Sequence, residues 1–98
     1  MMTEREFRRL TPGAQRGAIE DAVRGRLRRC MGRPDPLRLA LLDIAAGATT
    51  VILILDFHQQ RGLPLSANDA DVYVAACRDR DLALAQLGIP NPYAPRVH

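Results

Sequence analysis

The sequence predicts an all-α fold: a small three- or four-helix bundle with a long central hydrophobic helix. Three observations carry that expectation. Three cap signals, Thr11-Pro12, Asp35-Pro36 and Ser66 with Asp69, each stand before a block of apolar residues recurring at three- and four-residue spacing. Gly32-Arg33-Pro34 and Gly62 with Pro64 separate those blocks. The single β-branched run, residues 49–55, has no second strand-like segment to pair with.

Thr11 can accept from the orphan amides of a first turn, and Pro12 gives up no hydrogen bond there. The block that follows repeats Ile19, Ala22, Val23, Leu27 and Cys30 at helical spacing and stops at Gly32-Arg33-Pro34. Asp35-Pro36 opens the longest block, from Leu37 to about Gln60, with Gly62 placed to close it and Pro64 just beyond. Ser66 and Asp69 approximate a capping box for a third block that ends near Gly88-Ile89-Pro90. The segment 1–10 is expected to carry a short extra helix, and 89–98 to form an extended Pro-rich tail, all within one domain, 1–98.

The β-branched run is expected to be helical because LRLALLDIAAGA runs straight into it with only Gly47 intervening. A membrane span is not expected: Asp43 and Asp56 leave twelve uncharged residues between them, against the roughly 20 a bilayer requires. On a helix, Arg38, Thr49 and Asp56 form one polar stripe, and Asp43 with Thr50 a second about 120° away. Between them lie two apolar faces. The wide one carries Leu37, Leu41, Ile44, Ala48, Val51, Ile52 and Leu55; the narrow one carries Leu39, Leu42, Ala46, Leu53 and Phe57. Ile44, Val51, Ile52 and Leu55 are the expected core. The surplus face at Leu39, Leu42, Leu53 and Phe57 is the expected oligomer or partner contact, since large apolar patches are seldom left in water. Ala45, Ala46, Gly47 and Ala48 are small enough to admit another backbone closely.

The 98 residues contain 14 arginines and no lysine, with a formal net charge of +3. Residues 1–38 are net +5 and residues 39–98 net −2, so the charge is strongly asymmetric. Arg24, Arg26, Arg28, Arg29 and Arg33, with Arg5, Arg8 and Arg9 upstream, are the candidate partner or nucleic-acid surface, because clustered guanidinium groups hold phosphates or carboxylates. No aromatic residue interleaves the Arg24–Arg33 cluster to stack a base, and the carboxylates of Asp69 and Asp71 would repel phosphate from a helix-turn-helix reading at residues 60–71.

Catalysis and cofactors are not expected. There is no GxGxxG, Walker loop, HExxH or GxSxG. The carboxylate pairs Asp69/Asp71 and Asp79/Asp81 stand two residues apart and point away from each other on a helix. Cys30, Cys77, His58 and His98 have no metal-site spacing, so no metal is expected, and the two cysteines are read as reduced, packed thiols. The charged N-terminus has no apolar segment of the secretory kind, which points to the cytosol. The function expected from these features is a small non-enzymatic protein, an adaptor or inhibitor of the phage-encoded or accessory type. It would bind a larger protein partner and could form a homodimer; the alternative is an arginine-dependent DNA- or RNA-binding regulator.

Overall fold

The computed structural model describes residues 2–93, and over them the chain is all-α. Four helices follow in order: α1 (Glu4–Arg8), α2 (Pro12–Cys30), α3 (Pro36–Gln60) and α4 (Ala67–Leu87). The expected caps are all made. Thr11 accepts from the Ala14 amide at 3.2 Å and Asp35 from the Arg38 amide at 2.8 Å. Ser66 and Asp69 form a reciprocal box, with Ser66 Oγ accepting from the Asp69 amide at 3.0 Å and Asp69 Oδ2 from the Ser66 amide at 3.2 Å. Gly88 closes α4 in the left-handed region at φ 71°, where the Ile89 amide turns back to the Leu84 carbonyl at 3.2 Å.

The β-branched run is helical, as its context requires. Thr50 lies wholly inside the bundle, and its hydroxyl donates to the Ala46 carbonyl at 2.8 Å, which removes the cost of burying it. The neighbouring Thr49 hydroxyl is equally buried but has no partner among the described residues.

α3 is the centre of the bundle, with α4 packed along it most extensively and α2 against its other flank. One core cluster joins Val23, Leu27 and Met31 from α2 and the residue after it, Leu42, Ala45 and Ala46 from α3, and Ala83, Leu84 and Leu87 from α4. Ala45 and Ala46 are fully buried, so the small residues of α3 do admit its neighbours closely. The tail begins differently from expectation. Ile89 and Tyr93 fold back against the core, and Asn91 Oδ1 accepts from the Tyr93 amide at 3.0 Å in an Asx turn, so 89–93 are tied down and not simply extended. Residues 94–98 of the expected tail lie outside the described residues.

The two faces of α3 are each divided between core and surface, unlike the expectation of one buried and one surplus face. Leu42, on the narrow face expected to be surplus, is 2% exposed and central to the core, and Leu53 packs half-buried beside it. Ile44, expected in the core, is 51% exposed, and Leu37 on the same wide face is 70% exposed. Val51 is half-buried; Ile52 and Leu55 are buried as expected. The reason lies in the polar stripes, which run along the helix contacts. Arg38 donates to the Leu87 carbonyl of α4 at 3.1 Å, and Asp56 accepts from the Tyr73 hydroxyl of α4 at 2.8 Å. On the second stripe, Asp43 accepts from Arg24 of α2 at 3.0 Å. The neighbouring helices therefore sit over the stripes and cover the middle of the narrow face, at Leu42, Ala46 and Leu53, leaving Leu39 and Phe57 at its ends exposed.

Candidate partner-binding groove

The wide face of α3 is left partly open, and α4 extends it. Leu37, Leu41, Ile44, Ala48, Val51 and Leu55 follow one another at alternating spacings of four and three, the pattern of a coiled-coil seam. Leu55 and the half-buried Leu41 and Ala48 face inward along this seam, while Leu37 and Ile44 stand out as a ridge. Across from them on α4, Val72 and Leu82 are also exposed, the latter to 57%.

A groove of about 370 Å³ runs between Ile44 and Val72. Gly47, Ala48, Ala75 and Ala76 give it a floor of small residues, with Ile44, Val51 and Val72 as apolar walls. Arg16 and Glu20 of α2 form one polar rim and Asp79 of α4 the other. Beyond Ile44 and Asp79 the groove continues as a second depression of about 210 Å³, lined by Leu41, Leu82, Ala83 and Gln86. Glu20 is already engaged by Arg24 at 3.2 Å, whereas Arg16 and Asp79 make no ion pair among the described residues. The rim thus offers one cation and one anion on opposite sides of an apolar floor.

The residues expected to form a partner face do not converge. Leu42 and Leu53 belong to the core, while Leu39 (42% exposed) and Phe57 (53% exposed) lie near opposite ends of α3. The five candidate arginines are divided as well. Arg24 is clamped by three carboxylates, Asp43 at 3.0 Å, Asp21 at 3.1 Å and Glu20 at 3.2 Å, and the hydrogen bond to Asp43 is the largest cause of its raised pKa. Arg26 donates to the Pro92 carbonyl at 3.1 Å and lies 4.5 Å from the centre of the Tyr93 ring, so it fastens the start of the tail to α2. Arg28, Arg29 and Arg33 are exposed and make no ion pair among the described residues.

No group of three His, Cys, Asp or Glu side chains able to hold a metal ion occurs among the described residues. Cys30 is an exposed free thiol and Cys77 a half-buried one, so only the second matches the packed role expected of both. His58 sits exposed in the last turn of α3, where a positive charge would meet the negative end of the helix dipole. By length and composition α3 is apolar enough to cross a membrane, although its two aspartates are each tied to a neighbouring helix. Comparison with protein-family models, with curated proteins and with solved structures gave no match.

The groove residues were only half visible beforehand. On α3 the sequence points to Ile44 and Val51 as core and to Ala48 as one of the small residues that admit a close neighbour; it gives Val72, Ala75 and Leu82 of α4 no role. Their exposure depends on how far α4 covers α3, which periodicity within either helix does not specify.

Proposed function

We propose that the protein is a small non-enzymatic adaptor or inhibitor that takes an amphipathic helix of a larger protein partner into the α3–α4 groove. One observation carries this reading: an apolar floor of small side chains is flanked by exposed Ile44 and Val72 and continues to exposed Leu82, on two adjacent helices. Grooves of this shape accept helices that present anchors at three- and four-residue spacing. The rim charges specify the flanks of that helix, an acidic side chain toward Arg16 and a basic one toward Asp79. Binding energy would concentrate at the central anchors, with the rim fixing orientation. The partner is expected in the cytosol, and α3 is read as the core helix of a water-soluble bundle.

The test is site-specific photocrosslinking from position 44 or 82, followed by identification of the joined segment. A crosslink to an amphipathic helix of another protein, absent when the probe is moved to position 29, supports the reading. A crosslink to a second copy of the chain would replace the foreign helix by a homodimer. Crosslinking to lipid would replace both with membrane insertion of α3.

A further inference from the structure

A separate cavity of about 580 Å³ lies between α1, the start of α2 and the end of α3, and shares no lining residue with the groove. Its volume falls within the roughly 300–1,000 Å³ of small-molecule sites. Phe7 and Phe57 bring two aromatic rings to it from positions 50 residues apart, with Arg8 and Arg61 beside them. Gln15 donates to the Phe7 carbonyl at 3.2 Å, which fixes α1 to α2 and sets the position of the Phe7 wall.

The charges around the cavity are ordered. Glu4 accepts from Arg8 at 2.6 Å, so Arg8 is partly neutralised and the carboxylate remains an acceptor at that side. Arg61 has no such carboxylate; its guanidinium lies 5.4 Å from the centre of the Phe57 ring, and it makes no ion pair among the described residues. A ligand matched to this arrangement needs a flat ring to lie against phenylalanine, hydroxyl donors for Glu4 and an anionic group for Arg61. A nucleoside phosphate carries all three features. Aromatic stacking is available to any base, and a guanidinium suits a phosphate better than a monodentate cation does.

We propose that the Phe7–Phe57 cavity binds a nucleoside phosphate, either free or as one unit of a single strand, with the base against the phenylalanines and the phosphate on Arg61. This site is independent of the helix-binding groove. It also places nucleotide chemistry away from the Arg24–Arg33 segment, at residues that come together only in the folded chain.

The experiment is a titration of the full chain, followed by amide chemical shifts at low salt, with adenosine monophosphate, adenosine and inorganic phosphate as probes. Adenosine monophosphate is expected to shift Phe7, Gln15, Phe57 and Arg61 and to bind about tenfold more tightly than either fragment. Phe57→Ala and Arg61→Gln should each weaken it by about tenfold, and since both side chains are exposed, thermal melts should show both variants folded. A single-stranded hexanucleotide that binds more tightly than the mononucleotide would identify a strand as the source; equal or weaker binding would identify the free nucleotide. The proposal is overturned if millimolar adenosine monophosphate shifts none of these amides, or if binding survives both substitutions unchanged.

Discussion

Arg24 Nε on α2 and Asp43 Oδ1 on α3 are 3.0 Å apart, the one ion pair that ties two helices together among the described residues. The same guanidinium also holds Asp21 and Glu20 of its own helix. Because Arg24 is a third exposed and Asp43 nearly two thirds, solvent screens the pair. Asp43→Asn should therefore cost no more than about 1 kcal/mol, and less at high salt. Denaturant melts at two ionic strengths check this. Arg24's pKa is raised, so its contribution is complete at all pH values below the ordinary arginine range and disappears only above it. The pair should accordingly add no slope to stability near neutrality through Arg24.

The phenol of Tyr73 behaves differently, because its pKa rises from a range that experiment reaches. Its hydrogen bond to Asp56 is the first cause, with burial and the carboxylate charge adding to it. A raised folded pKa favours the protonated phenol, so this contribution is complete below the ordinary tyrosine pKa of about 10 and is lost as pH climbs through the folded value. Ultraviolet titration should find one tyrosine ionising at higher pH than an unperturbed phenol, and Asp56→Asn should bring it down. An unchanged titration in the variant would show that the hydrogen bond has no such role.

Thr49 gives a prediction of opposite sign to the usual core substitution. Its hydroxyl is buried without a partner among the described residues, so Thr49→Val should be neutral or stabilise by up to about 1 kcal/mol. Thr50→Val, which removes a made hydrogen bond, should not stabilise. Thermal denaturation of the two variants side by side distinguishes them.

Replacing Gly88 by Ala should lower stability by about 1 kcal/mol, since a Cβ is disfavoured at its positive φ. Gly25, in mid-helix with open space where a Cβ would lie, should respond in the opposite direction. Calorimetric melts of Gly88→Ala and Gly25→Ala would give shifts of opposite sign.

Helix existence was legible in the sequence because it depends on local chemistry. Thr11, Asp35, Ser66, Gly62 and Gly88 act within a few residues of themselves, and each does in the fold what its position predicts. The burial of α3 was not legible from the same rules. A hydrophobic wheel puts Ile44 on the wider apolar face and Leu42 on the narrower without saying which face the other helices cover; in the fold Arg38, Asp43 and Asp56, which flank Leu42's face, reach partners on those helices. Polar residues on such a helix mark solvent boundaries or interhelical tethers according to what lies opposite. The Phe7–Phe57 cavity was hidden for a related reason: its two rings are brought together only by the return of α3 toward α1.

The central claim is that the open part of the wide face of α3, at Ile44, is free to bind, and Ile44→Glu tests it most directly when stability and partner capture are measured on the same protein. The account predicts a folded variant, within about 1 kcal/mol of the parent because the side chain is half exposed, that no longer crosslinks to the partner helix through position 82. Leu42→Ala, its counterpart on the buried face, should cost about 2–5 kcal/mol. A loss of several kcal/mol in Ile44→Glu, or retention of the position-82 crosslink in a folded variant, would contradict the account.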